Sequence, residues 1–113
     1  MQPQHGWLYS ADLRPALGAE AGKLRPVLVV QTDLLNETGH PSTWVLPCTT
    51  RLTGESILRV VLPKGLAGNS SDCEIMIDQS RAIDNQRFRR KLGQLNALIF
   101  DEVIQKLRSL AEL

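Results

Sequence analysis

The sequence predicts a small, strongly bent β-barrel capped by one C-terminal helix. Three observations predict it. Five or six short apolar runs are separated by clear turn signals. From Asn96 onward the pattern changes from strand-like runs to a helical period. At 113 residues and 42% hydrophobic content, the chain forms a single domain, residues 1–113, with a real core.

The elements follow in order. Trp7 to Leu13 reads as the first strand. Arg14 to Leu24, with Pro15, Gly18 and Gly22, reads as a loop. Val27 to Thr32 is the second strand. Its four consecutive aliphatic residues leave no solvated face, so it is buried on both sides. Asn36 to Ser42 holds Gly39 and Pro41 and turns the chain. Thr43 to Thr49 is a third strand, bent or at a sheet edge because Pro47 lacks an N–H. Thr53-Gly54 is a turn signal, and Ser56 to Leu62 a fourth strand. Pro63 to Asp72, with Gly65, Gly68 and Asn69, is another loop. Cys73 to Ile77 alternates and forms a fifth strand, and Arg90 to Leu95 a short sixth. Asn96 then caps a helix of about four turns. Asp101 and Glu102 lie in its early turns, where acids favour the dipole. Leu95 and Phe100 occupy staple positions, and Ile99, Val103, Leu107 and Leu110 form one stripe.

Composition narrows the function. No apolar run approaches the ~20 residues that span a bilayer, and Met1-Gln2-Pro3-Gln4-His5 does not resemble an export signal. A cytoplasmic setting is therefore expected, with Cys48 and Cys73 reduced. The cysteines fit no zinc spacing, and no phosphate-binding glycine loop or Ser-His-Asp order stands out. His5 and His40 fall in a tail and a loop, so no histidine acid–base pair is indicated. The net charge of +1 argues against a dedicated polyanion binder, but the distribution is uneven. Residues 79–95 carry a local +4 and residues 14–25 a local +2, enough for local contact with a polyanion.

Three segments could carry chemistry. Arg25 stands at the mouth of an apolar strand, and Pro26 biases it toward an extended backbone. It is either a surface arginine at a strand start or a pinned guanidinium suited to gripping a phosphate. Pro47-Cys48-Thr49-Thr50-Arg51 ends a strand in two hydroxyls and a cation. It reads either as β propensity or as a hydroxyl donor beside Arg25. Asp78 to Asp84 is polar enough either to cap a helical turn or to contact bases and phosphates through Gln79, Ser80 and Arg81.

In order and spacing these segments resemble the MazF/PemK family of toxin endoribonucleases. Gly6-Trp7-Leu8-Tyr9-Ser10-Ala11-Asp12-Leu13-Arg14-Pro15 resembles the family's opening strand. Gly18-Ala19-Glu20 and Lys23-Leu24-Arg25-Pro26 with the following aliphatic run continue in register. Pro47-Cys48-Thr49-Thr50 and Asp78-Gln79-Ser80-Arg81-Ala82-Ile83-Asp84 resemble two later motifs. Two positions depart: Trp7 replaces the family's usual acid, and Ala19 its usual serine. The resemblance implies an SH3-like barrel, a homodimer and a cognate antitoxin. It further implies cleavage of single-stranded RNA at short sequences with no metal and no cofactor.

Carried over by position, Arg25 and Thr49 form the catalytic pair. Glu20 is a candidate to orient Arg25 or accept a proton, or else is a surface carboxylate. Lys23, Thr50, Arg51, Gln79, Ser80, Arg81 and Arg87 would hold the RNA. Such an enzyme would use 2′-OH attack to leave a 2′,3′-cyclic phosphate and a 5′-OH. The competing class is a non-catalytic toxin of the same fold that poisons a DNA topoisomerase by contact.

Overall fold

Alternating side chains of the first strands feed two separate hydrophobic clusters. This makes the middle of the sheet buried on both faces. The structure, a computed structural model, describes residues 1–15, 17–18 and 23–113. Its elements are β1 (Trp7–Asp12), β2 (Leu24–Val29), α1 (Asp33–Asn36), β3 (Ser42–Thr49), β4 (Arg59–Leu62), β5 (Cys73–Met76), β6 (Arg81–Asp84), β7 (Phe88–Gln94) and α2 (Ala97–Ala111). Single 3-10 turns at Ile77–Gln79 and Asn85–Arg87 flank β6. The strands pair antiparallel in the order β4-β5-β3-β2-β1-β7, and β6 adds to β3. A mainly β fold with a C-terminal helix is as expected. The hydrogen-bonded path is barrel-like in its bend but is not closed.

Leu8, Leu28, Leu46 and Cys48 point to one cluster with Val60, Leu62, Ile75 and, from α2, Val103. Tyr9, Val27, Val29 and Val45 point to the other, with Ile83 and Phe88. Both cysteines are free and buried. A hydrogen bond with Cys73 and burial push the Cys48 thiol well above its ordinary range.

β3 organises the sheet. Its first half, Ser42 to Val45, pairs with β6, and its end, Cys48 and Thr49, pairs with β5. The opposite edge of the strand pairs with β2. Pro47 therefore does not mark a sheet edge. It falls between the β6 and β5 ladders, where a missing N–H breaks neither of them.

Several boundaries differ from the sequence reading. β2 starts at Leu24 and stops at Val29, because Thr32 caps α1 by accepting the Leu34 N–H at 3.2 Å. Gln31 and Asn36 form a buried reciprocal pair, at 2.9 and 3.1 Å. β4 begins only at Arg59, since the Glu55 carboxylate accepts the N–H groups of Ile57 and Leu58, each at 2.7 Å. β5 does not alternate; all four of its residues are buried. β6 lies within the segment read as polar. It is held as a strand by four register pairs with β3.

The helix reading holds in most respects. Asn96 accepts the Ile99 N–H at 2.9 Å, and Leu95, Ile99, Phe100, Val103 and Leu107 join the core. Leu110 does not; it is 51% exposed, in the last turn of α2. At the far edge, the β4–β5 loop meets β7 backbone to backbone. Gly68, at φ +75°, and Gly93 touch there, and a Cβ on Gly93 would lie 2.7 Å from the Ala67 carbonyl.

Candidate active site

The β2–β3 register places the two key side chains. Val27 faces Pro47, Leu28 faces Leu46 and Val29 faces Val45. Continued by two residues, the same register sets Arg25 across from Thr49, on one face of the sheet. Arg25 Nη1 donates to the Cys48 carbonyl at 3.1 Å, which fixes the guanidinium at the end of β3. Burial lowers the Arg25 pKa from its ordinary value, and the charge interaction with Cys48 only partly offsets this. Thr49 is half-buried. Its hydroxyl oxygen accepts the Arg51 N–H at 3.1 Å, which leaves the hydroxyl proton for a ligand.

The rim around this pair is basic. Lys23, Thr50 and Arg51 are exposed beside it. Ala11 of β1 is opposite Arg25 on one side and Phe88 on the other, which brings Arg87 to the same end of the sheet. Arg87 Nη1 donates to the carbonyls of Asp12 and Arg14, at 3.0 and 2.6 Å. Asp12 is the local counter-charge. Arg14 grips it with two hydrogen bonds, at 2.9 and 2.7 Å. Those bonds hold the Asp12 carboxyl well below the usual carboxylate range. Glu20 lies outside the described residues.

The second polar group is separate. Gln79 ends a 3-10 turn, Ser80 is exposed, and Arg81 opens β6 opposite Val45. Thr49 is four residues on from Val45, or ~13 Å at the usual strand rise. Even spacing keeps Arg81 on the same face as Arg25 and Thr49. Arg81 Nη1 is buried with no hydrogen-bond partner among the described residues. A groove of about 360 Å³ lies on the opposite side of β3, lined by Trp44, Ser80, Ile104, Leu107, Leu110 and Leu113 among others.

One residue that the sequence reading passed over is Glu74. It is directly opposite Thr49 in the β3–β5 ladder and 1% exposed. Its carboxylate accepts from Thr53 N and Oγ1, both at 3.1 Å, from Gly54 N at 3.0 Å and from Arg59 Nη1 at 3.0 Å. Burial works against the charged form, but these donors outweigh it and hold the carboxyl below its ordinary value. The available signal was a lone acid inside Cys-Glu-Ile-Met-Ile, where an unpaired charge could not be buried.

Arg25 and Thr49 together offer a charged fork and a hydroxyl donor at the rim of a rigid sheet, which suits a phosphodiester. The chain is 33% identical over 106 residues to endoribonuclease EndoA of Bacillus subtilis, across 93% of this chain and 90% of the relative. The crystal structure of MazF from Deinococcus radiodurans superposes with a TM-score of 0.87 at 28% identity, covering 100% of this chain and 99% of that one. A MazE–MazF complex from the same organism matches at 30% identity with a TM-score of 0.79, covering 100% and 98%. The model of the PemK-like, MazF-like toxins of type II toxin–antitoxin systems matches residues 4–111, and with that span of the described fold the chain belongs to this family.

Proposed function

We propose that the chain is a sequence-specific endoribonuclease toxin that cuts single-stranded RNA at Arg25 and Thr49 and is neutralised by an antitoxin. The observation that carries this is the Arg25 guanidinium held on the Cys48 carbonyl, one residue before the Thr49 hydroxyl at the end of β3. In the reaction the 2′-oxygen forms a bond to phosphorus and loses its proton, while the P–O5′ bond breaks and O5′ takes up a proton. Arg25 stabilises the charge that gathers on the nonbridging oxygens. It is a poor proton acceptor, because arginine ordinarily titrates above 12. Thr49 donates to a nonbridging oxygen or aligns the nucleophile. Neither group titrates near neutrality, so the rate is modest.

Lys23, Thr50, Arg51 and Arg87 hold backbone phosphates in this reading. Gln79, Ser80 and Arg81 read the strand further along. The setting is the cytoplasm.

Incubation of the purified protein with single-stranded RNA in EDTA should yield products ending in a 2′,3′-cyclic phosphate and a 5′-hydroxyl. A substrate with one 2′-deoxy nucleotide at the cut site should resist, since it lacks the nucleophile. Cutting of that substrate would falsify the mechanism.

A two-fold dimer is part of the proposal. Exposed Trp44, Leu110 and Leu113 around the apolar groove support self-association. Light scattering at micromolar concentration should give twice the 12.6 kDa chain mass; a monomer there contradicts the dimer. The antitoxin is expected to present a disordered acidic segment that folds as it binds. Its negative charge would compete with RNA for Arg25 and Arg81.

A further inference from the structure

We infer that Glu74 is a positioning residue for the cleavage site, acting through the segment that follows Thr49. The inference rests on the reading of Arg25 and Thr49 as the centre. Segment 50–58 leaves β3 directly after Thr49 and carries Thr50 and Arg51, both exposed and part of no strand. Its near half is tied at Thr53 and Gly54, whose three donors converge on the one Glu74 carboxylate. Its far half has an independent tether. Lys106 of α2 donates to the carbonyls of Ser56 and Arg59.

The ties have a direct route to the chemistry. Glu74 is laddered to Thr49 across β3 and β5. The residue whose backbone pairs with Thr49 therefore also holds, through its carboxylate, the loop that leaves Thr49. Arg51 N donates to Thr49 Oγ1, so a shift of the loop at Arg51 moves the hydroxyl's hydrogen bonding. Small displacements of a reacting group matter: about 1 Å can lower a rate a hundredfold. Arg59 completes the arrangement on the other side by neutralising the carboxylate at 3.0 Å, and it holds no part of segment 50–54.

That difference provides the test. Glu74→Gln weakens the loop tie, whereas Arg59→Met removes the ion pair and leaves the three loop donors in place. Both variants lose stability, so stability alone cannot separate them. The readouts are single-turnover cleavage of an RNA with one cut site, binding of the uncleavable 2′-deoxy version of it, and amide exchange at Thr53 and Gly54. All are made at a temperature where denaturation curves show each variant folded. Glu74→Gln should lower the cleavage rate constant about tenfold or more and bind the deoxy strand within about threefold of wild type. It should also speed exchange at Thr53 and Gly54, while the far half around Ser56 keeps its protection. Arg59→Met should keep both the rate and the exchange pattern. Thr53→Val removes one donor without stranding a charge, and should lower the same rate about fivefold, which keeps the test available if Glu74→Gln does not fold. A folded Glu74→Gln or Thr53→Val with the wild-type rate constant overturns the inference, as does an equal loss in Arg59→Met. Failure of the underlying reading looks different: Arg25→Ala would then cut normally.

Discussion

Arg25→Ala should lower the rate constant of RNA cleavage about a hundred- to a thousandfold, because losing one preorganised donor to a developing oxyanion has that effect. A larger loss is consistent with the site, since the guanidinium offers more than one N–H. Folding should be little changed. Arg25 is only half-buried, and its bond to the Cys48 carbonyl lies at the end of a strand. Thr49→Ala should reduce the rate by the same amount or less, because a neutral hydroxyl donor is weaker than a charged one. Single-turnover kinetics with excess enzyme, alongside circular dichroism, checks both variants. Near-wild-type cleavage by Arg25→Ala would remove it as the centre and leave the rim without a chemical role.

Gly93→Ala should destabilise the protein by about 1–3 kcal/mol, toward the upper figure. The new Cβ would meet the Ala67 carbonyl at 2.7 Å and the Gly68 nitrogen at 3.1 Å. Those atoms are backbone, so no rotamer change relieves the contact. Gly68 cannot easily retreat either, because its φ of +75° already favours glycine. For a chain of this size the melting temperature should fall by roughly 4 to 12 °C. Gly93 is opposite Leu8, at the far end of β1 from Ala11 and Arg25. Cleavage per folded molecule should therefore stay constant, and an unchanged melting temperature would show that the two backbones do not meet as tightly as described.

The parts of the fold that sequence made legible are those with a strong local cause. Val27 to Val30 could only be a strand buried on both faces, and the two hydrophobic clusters on either side of it bear this out. Asn96 and the stripe through Ile99, Val103 and Leu107 identified α2, because a cap and a period coincide. What stayed hidden depends on partners distant in sequence. β6 has one deeply buried apolar residue, Ile83, and becomes a strand only because β3 lies alongside. Pro47 reads as an edge marker locally, yet a strand that changes partners beside it makes a central position tolerable. Leu110 fits the stripe, but periodicity cannot tell where the core beneath a helix ends. At the site, Arg25 and Thr49 were legible as residue types, and the register that joins them was not. Glu74 was missed because its meaning lies in three donors from a loop twenty positions away.

β3 carries the Thr49 hydroxyl at one end, and Arg81 is laddered to its middle. A strand cannot stretch, so it serves as a ruler. Loops at either end can vary in sequence, while the reach along β3 from Thr49 to the position of the distant arginine stays near ~13 Å. Inserting a single residue between Val45 and Thr49 would not lengthen this reach smoothly; it would turn one end to the opposite face. Drift is therefore open to such a protein in its loops, whereas the span between its two polar groups is set by its core.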